Sequence, residues 1–230
     1  MSFLVIEGLD GSGKSTQVKM LKNYFSDNHV DFGYIHFPRT DTPFFGELIA
    51  RFLRGEFGKN GDLDPYLVAL LYASDRNDAN TQLQQWMNER RFILLDRYVY
   101  SNIAFQCAKV SDSREKEKLA TWISDLEFNY FNLPKPALKI FLDVPFQFTE
   151  KNLASERSGS ERKYLKGNAD IHEQSLGFQK KVRENYLWQS EKEDDFIVLN
   201  CGEKDNMLPA GEIHQQIVKI ITGNKLIGGK

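Results

Sequence analysis

The chain has 230 residues, of which 41% are hydrophobic and 27% charged, and its 30 basic and 32 acidic side chains give a net charge of −2. This length and composition predict a globular protein of one large domain or two small ones and exclude a wholly disordered chain. There is no basic excess typical of nucleic-acid binding, and no apolar run approaches the ~18 residues of a membrane span.

The cysteines and the first residues bear on the cellular compartment. Cys107 and Cys201 are far apart in the sequence and do not form a pair typical of a metal site, so a reduced setting is the simplest interpretation. The segment Met1–Glu7 lacks the basic stretch and the long apolar core of a signal peptide. We therefore expect a cytoplasmic protein that contacts neither a membrane nor nucleic acid.

Short apolar runs alternate with longer stretches that have helical spacing. The runs are Phe3–Ile6, Tyr34–Phe37, Phe92–Leu95, Leu138–Leu142 and Phe196–Leu199. Nearly continuous apolar runs of this length are typical of strands buried on both faces, and their alternation with helices predicts a parallel sheet covered on both sides. We predict a single α/β domain over residues 1–222, followed by a flexible tail at 223–230. The polar, charged stretch at about 155–170 predicts a mobile surface loop.

The first predicted strand leads into a phosphate-binding motif. The motif is Gly-x-x-x-x-Gly-Lys-Ser, and the stretch that contains it comprises Gly8, Leu9, Asp10, Gly11, Ser12, Gly13, Lys14, Ser15 and Thr16. Glycines allow backbone N–H groups to converge on phosphate oxygens, and the N-terminus of the following helix, at about Ser15–Phe25, adds its dipole. Lys14 is expected at the terminal phosphates and the Ser15 hydroxyl at Mg²⁺. The motif predicts nucleotide binding but does not identify the reaction.

Two further charged residues follow the third apolar run. Asp96 ends this run, and a carboxylate in that position next to a phosphate loop usually steadies Mg²⁺. Arg97 beside it suits a second anion. The alternatives are a helix N-cap for Asp96 and a surface ion pair for Arg97.

Other residues indicate that this second anion is itself a nucleotide. Arg39 follows the second apolar run, at the sheet edge where open α/β folds bind ligands. Tyr72 and Arg76 are four residues apart on a predicted helix and therefore share a face, so that a ring could stack on a base while a guanidinium holds its phosphate. Arg39, Arg76 and Arg97 together supply three guanidinium groups that could bind one phosphate.

These residues together resemble the thymidylate kinase family. The resemblance rests on Gly8–Thr16, Phe37–Arg39, Ala73–Arg76, Asp96–Tyr98, Ser101–Asn102, Ala104–Gln106 and Leu133–Pro136, in this order along most of the chain. It implies transfer of the γ-phosphoryl group of ATP to dTMP with Mg²⁺, giving dTDP. It also implies a five-stranded sheet of order 2-3-1-4-5, a mobile lid and a homodimer.

The resemblance also implies roles for individual residues. Lys14 and Ser15 match the residues at the donor phosphates and Mg²⁺, and Asp10 matches an acidic residue near the deoxyribose and the acceptor phosphate. The acceptor-binding set it implies is Arg39, Tyr72, Arg76, Arg97, Ser101, Asn102, Phe105 and Gln106. Phe105 stands where many members have tyrosine, so exclusion of a ribose 2′-hydroxyl is expected to rest on packing. Pro38 matches a proline often preceded by a cis peptide bond.

The lid is expected to supply catalytic cations. Some family members place a basic residue in the phosphate loop at the position of Gly11, whereas others place it in the lid. We interpret Arg157 and Arg162 as charge clamps of the arginine-finger kind, and Lys163 and Lys166 as solvated charges.

Two other functions are alternatives. A deoxynucleoside kinase needs a carboxylate base near the end of the second strand, where this chain has Phe37-Pro38-Arg39. A non-enzymatic nucleotide switch usually carries an Asn-Lys-x-Asp motif, and the nearest match, Asn224–Ile227, lacks the aspartate.

Overall fold

The computed structural model describes residues 3–154, 164–165, 170, 175–203 and 206–227. Its five parallel strands form one sheet in the order β2-β3-β1-β4-β5, which confirms the predicted arrangement. The strands are β1 (Phe3–Gly8), β2 (Phe32–His36), β3 (Phe92–Asp96), β4 (Leu138–Asp143) and β5 (Phe196–Asn200). Two further strands, β6 (Gly202–Glu203) and β7 (Asn206–Met207), pair antiparallel beside the sheet.

Helices connect the strands. They are α1 (Lys14–Asp27), α2 (Phe45–Leu53), α3 (Pro65–Asp78), α4 (Asn80–Asn88), α5 (Val99–Cys107), α6 (Ser113–Ser124), a π-helix (Asp125–Tyr130), α7 (Phe146–Ala154), α8 (Leu176–Ser190) and α9 (Ala210–Gly223). Local sequence explains where several of them begin. The carboxylate of Asp64 accepts the backbone N–H groups of Tyr66 and Leu67 at 2.8 and 3.4 Å, and Pro65 occupies the first helical position of α3.

Helices cover both faces of the sheet, as the alternation of side chains along β1 shows. Leu4 and Ile6 pack in one cluster with residues of α1 and α9, whereas Phe3 and Val5 pack in another with residues of α3, α5 and α6. Successive side chains of β1 point to opposite faces of the sheet and therefore pack in two separate cores. Within the described part of the chain, we find no helix with the length and apolar character needed to cross a membrane.

The prediction that every strand is buried on both faces is wrong for the sheet edges. β1 and β3 are buried throughout, but β2 and β5 each have one neighbouring strand and are partly exposed, Val198 by 37%. The second strand also begins and ends earlier than its apolar run, because Phe37 already belongs to the connection to α2. The peptide bond between Phe37 and Pro38 is cis.

Candidate active site

The phosphate loop links β1 to α1 at the carboxyl edge of the sheet. Gly11 and Gly13 have φ angles of 77° and 82°, in the left-handed region that favours glycine. At Gly8, a Cβ atom would lie 2.7 Å from the hydroxyl oxygen of Ser12, so a side chain there would push the loop apart. The motif glycines are thus required by the backbone path, as the sequence predicted.

Lys14 and Asp96 meet where β1 and β3 lie side by side. Both are buried, and the Lys14 Nζ lies 4.0 Å from Asp96 Oδ1. Asp96 Oδ2 lies 3.0 Å from His36 Nδ1. Burial raises the pKa of Asp96, but attraction by His36 and Lys14 outweighs burial and holds that pKa well below its usual range. Asp96 Oδ1 has no hydrogen-bond donor among the described residues, which leaves it available to a ligand.

Arg97 follows directly and has a strained backbone, with φ at 68°. Its Nη2 donates to Asp10 Oδ1 at 2.7 Å, its Nη1 donates to the Ser101 hydroxyl at 3.2 Å, and its guanidinium lies 5.1 Å from the ring centre of Phe105. Burial lowers the pKa of Arg97, but Asp10 together with Tyr186, Glu7 and Asp96 outweighs burial and raises it. The second oxygen of Asp10 accepts from Gln179 at 2.9 Å. The side chain of Arg97 is therefore charged and held beside the phosphate loop.

The buried carboxylate of Glu7 binds the residues that follow Arg97. It accepts the backbone N–H of Tyr98 at 2.9 Å, the Ser101 hydroxyl at 2.5 Å and the Tyr186 hydroxyl at 2.9 Å. Burial raises the pKa of Glu7 above its usual value. Ser101, which the resemblance places near the base, thus contacts Glu7 and Arg97 from inside the protein.

Arg39 is held by the end of α3. Its Nε donates to Asp75 Oδ1 at 2.9 Å, and its Nη2 donates to Asp78 Oδ2 at 2.6 Å. Asp75 also accepts the Arg39 backbone N–H at 3.0 Å. These bonds fix the orientation of the guanidinium, which is partly exposed to solvent.

Arg76 occupies a different environment. It is 2% exposed and donates through Nε and Nη2 to the two carboxylate oxygens of Glu127, the second bond being 2.7 Å long. Glu127, in the π-helix, is fully buried and also accepts from Asn102 Nδ2 at 2.9 Å. This bidentate pairing occupies the fork that was predicted to hold the acceptor phosphate, so a phosphate role for Arg76 stays a prediction.

Aromatic side chains of α2, α3 and α5 belong to two separate apolar clusters. Tyr72 packs edge-on against Phe52 at 6.2 Å between ring centres, and Phe105 packs edge-on against Phe178 at 6.0 Å. Gln106 is 1% exposed, and its Oε1 has no hydrogen-bond partner among the described residues. Phe105 thus places an aromatic ring beside the guanidinium of Arg97, as a nucleotide site requires.

The family model of thymidylate kinase matches residues 6–217. The chain belongs to the thymidylate kinase family. A protein of Thermococcus kodakarensis described as a probable thymidylate kinase is 32% identical over 226 residues, covering 95% of this chain and 96% of the relative. Thymidylate kinase of Mycobacterium tuberculosis is 32% identical over 182 residues, covering 78% and 81%. A solved thymidylate kinase structure from Candida albicans is similar with a TM-score of 0.70 at 29% identity, covering 100% and 96%.

For this thymidylate kinase family member, the structure brings most of the predicted site residues to one edge of the sheet. Lys14, Asp96, Asp10 and Arg97 form one connected group. The lid arginines, Arg157 and Arg162, lie outside the described residues. In the described part of the lid sequence, the backbone oxygen of Tyr164 accepts from Arg54 Nη1 at 2.6 Å, and the Tyr164 hydroxyl donates to Asp170 at 2.9 Å.

Three site residues were missed by the sequence interpretation. Glu7 gave a signal, because a carboxylate ends an otherwise apolar strand immediately before the phosphate loop. Glu127 and Gln179 gave none. Each contacts a partner distant in sequence, at separations of 51 residues for Arg76 and 169 for Asp10.

Proposed function

We propose that this chain transfers the γ-phosphoryl group of ATP to dTMP. The observation that carries the proposal is Arg97, fixed between Asp10 of the phosphate loop and the buried Ser101. An always-charged, pre-oriented guanidinium one loop away from the donor site suits an acceptor that is itself an anion. Family membership supports the same reaction.

On the acceptor side, Arg97 and Arg39 would bind the dTMP phosphate, and Arg76 is proposed as a third guanidinium group for the same phosphate. A monophosphate has a second pKa of about 6, so it is already an anion at neutral pH and needs no general base. The task of the site is to hold two polyanions in line and to offset the charge that develops. The carboxylates of Asp10 and Asp75 keep Arg97 and Arg39 oriented before the acceptor arrives.

On the donor side, the loop from Gly8 to Thr16 would hold the ATP phosphates, with Lys14 at the terminal ones. Ser15 and Asp96 would hold Mg²⁺, and the buried, ionised carboxylate of Asp96 with its available Oδ1 fits a cation that prefers oxygen ligands. Bound Mg²⁺ would neutralise phosphate charge during transfer. Arg157 and Arg162 are proposed to complete this charge neutralisation from the lid.

The nucleoside would lie among the rings. Tyr72 is proposed to stack on the base, Asn102 and Gln106 to face its polar edge, and Phe105 to pack where a ribose 2′-hydroxyl would otherwise point. Asn102 Oδ1 and Gln106 Oε1, which lack partners among the described residues, support a polar ligand here. We further propose that residues 1–222 form the single kinase domain, with a lid at 155–170, and that residues 223–230 form a flexible tail.

A screen of acceptors tests this function. Coupled ADP release should depend on dTMP, with dTDP as the product identified by chromatography, and should be far weaker with thymidine. Preference for thymidine would favour the deoxynucleoside kinase alternative. Slow ATP hydrolysis that no monophosphate stimulates would favour the nucleotide switch.

We also propose that the chain forms a homodimer in the cytoplasm through α2 and α3. Phe44 is 78% exposed and Leu67 65%, and Phe45, Leu48 and Leu70 are exposed beside them. A second candidate face, Ala104–Val110, is buried within the chain from Ala104 to Ala108 and only partly exposed at Lys109 and Val110. Light scattering of wild type and Leu67→Asp should give a dimer and a monomer respectively, and a monomeric wild type would contradict the proposal.

A further inference from the structure

The buried carboxylate of Glu127 fixes the orientation of one amide in the nucleoside site. Asn102 Nδ2 lies 2.9 Å from Glu127 Oε1 and 3.0 Å from the backbone oxygen of Ala69. Because a carboxylate and a backbone carbonyl only accept hydrogen bonds, the amide atom that faces both must be the NH₂ group. The carbonyl oxygen of Asn102 must therefore point the other way.

That carbonyl oxygen could accept a hydrogen bond from a ligand. Asn102 is 3% exposed, and its Oδ1 has no hydrogen-bond partner in the described part of the chain. Asn102 precedes Phe105 by one turn of α5, so the two side chains share a face, and the ring of Phe105 lies against Arg97. An unpaired buried acceptor is costly, and a donor from the bound nucleotide would remove that cost.

Glu127 itself cannot rotate away. Arg76 binds both of its oxygens, and Glu127 is fully buried in the π-helix that follows α6. π-Helical turns are frequent at functional sites because they place a side chain where a regular helix would not. Three elements, α3, α5 and the π-helix, thus meet at one carboxylate.

We propose that Glu127 is a positioning residue that sets base selectivity, by keeping the Asn102 carbonyl toward the acceptor base. This inference rests on the proposed function. A pyrimidine with an N3–H donor, such as thymine or uracil, satisfies that carbonyl. Cytosine presents a lone pair at N3 and an exocyclic amine at C4, so its N3 would face Asn102 acceptor to acceptor. The site would therefore select 4-oxopyrimidine monophosphates against cytidine monophosphates.

Two variants separate this role from that of an ordinary ion pair. Glu127→Gln keeps an acceptor for Asn102 but loses the charge and one bond to Arg76, whose nitrogens only donate. Glu127→Met fills a similar volume and removes the acceptor. Lys139→Met removes a buried cation that pairs with the partly exposed Glu193 and Asp195 at the other edge of the sheet, and it serves as the control for stability loss.

The measurement is kcat/KM for dTMP and for dCMP, with ATP and Mg²⁺. We expect wild type to prefer dTMP by at least about 10², because a site built to bind an N–H group rejects an analogue lacking it. The preference should fall at least about tenfold in Glu127→Met, and stay within about threefold of wild type in Glu127→Gln and Lys139→Met. Equal losses in both Glu127 variants, or no loss in either, would overturn the inference.

A measurement on wild type covers the case in which Glu127→Met does not fold. N3-methyl-dTMP lacks the N–H donor, so its Kd by calorimetry should exceed that of dTMP by at least about tenfold. Equal affinities would overturn the inference. A wild type that uses no dTMP would remove the proposed function, an outcome distinct from a dTMP kinase whose selectivity ignores Glu127.

Discussion

The two edges of the parallel sheet both carry buried charges, and they differ in how those charges are satisfied. At the amino edge, the amine of Lys139 on β4 donates to Glu193 at 2.7 Å and to Asp195, and Tyr100 donates to Glu193 at 2.9 Å. At the carboxyl edge, Asp96 Oδ1 and Asn102 Oδ1 have no hydrogen-bond partner among the described residues. The charges of this cluster at the amino edge have partners within the protein, whereas the carboxyl edge leaves acceptors for a ligand.

Backbone conformation does not separate the two edges. Arg97 has a φ of 68° at the carboxyl edge, but His29 and Arg90, which precede β2 and β3 at the amino edge, also have positive φ, of 54° and 57°. The comparison teaches that neither a buried cation nor a positive φ alone indicates a site. Unsatisfied acceptors beside the cation do.

The largest expected effect separates the two lysines. Lys14→Ala should lower kcat by at least about 10³, because Lys14 acts where charge develops on the phosphates. Lys139→Met should keep kcat within about threefold. Both variants are compared by coupled ADP release, after circular dichroism has established that they are folded. Near-normal turnover in Lys14→Ala would break the distinction between the two edges.

The lid arginines extend the carboxyl-edge site in the next prediction. Arg157→Ala or Arg162→Ala should lower kcat on the order of 10³ for the residue that acts as the clamp, with a smaller change in KM, by analogy with arginine fingers. The assay is steady-state kinetics at saturating ATP and dTMP, with Lys166→Ala as a control. Wild-type kcat in both single variants and in the double variant would identify these arginines as surface charge.

The lid prediction has a structural corollary at Gly11. Its φ of 77° favours glycine, and its carbonyl accepts from Asn152 Nδ2 at 2.7 Å. A cation supplied by Gly11→Arg would strain the loop, so we expect at most partial recovery of activity in an Arg157→Ala/Arg162→Ala background. The same double variant without Gly11→Arg is the reference.

A smaller effect on activity is expected from Glu7, the buried carboxylate that binds Tyr98 and Ser101 next to Arg97. Glu7→Gln should lower kcat/KM for dTMP by about tenfold, because the carboxylate that holds Tyr98 and Ser101 is weakened. ATP affinity by calorimetry should stay within about threefold. An equal loss of ATP affinity would show that Glu7 supports the donor side instead.

The stability of the same variant depends on pH with a definite sign. Burial raises the pKa of Glu7 above the ordinary 4.5, so the folded protein binds more protons than the unfolded one just above that pH. Wild type should therefore lose stability relative to Glu7→Gln as the pH rises from about 4.5 through the folded-state pKa. Thermal denaturation of both proteins between about pH 4 and 8 measures this difference. Parallel curves would contradict the burial of an ionisable Glu7.

The smallest effect concerns stability at the amino edge. Lys139→Met removes a buried cation whose partners, Glu193 and Asp195, are each nearly half exposed and can be solvated. We expect a loss of about 1–2 kcal/mol in the free energy of unfolding, less than for a fully buried pair. Urea denaturation measures it. A loss above about 4 kcal/mol would mean that the cluster is effectively buried.

The sequence predicted those parts of the site that are local in the chain. The phosphate loop, the strands and the positions of Asp96 and Arg97 follow from motifs and apolar runs of a few residues. The sheet order came from the family resemblance and is confirmed. The partners of Arg76 and Asp10 were not predictable, because Glu127 and Gln179 reach the site through tertiary packing across many residues. The exposure of β2 and β5 was missed because their apolar runs resemble those of central strands.

The central claim is that the carboxyl edge accepts a phosphorylated nucleoside. The most direct measurement is the ratio of kcat/KM for dTMP over thymidine, in wild type and in Arg97→Gln. We predict a wild-type ratio of at least about 10³, and a loss of at least about tenfold in Arg97→Gln because the fixed guanidinium is gone. A wild type that phosphorylates thymidine as well as dTMP would contradict the account.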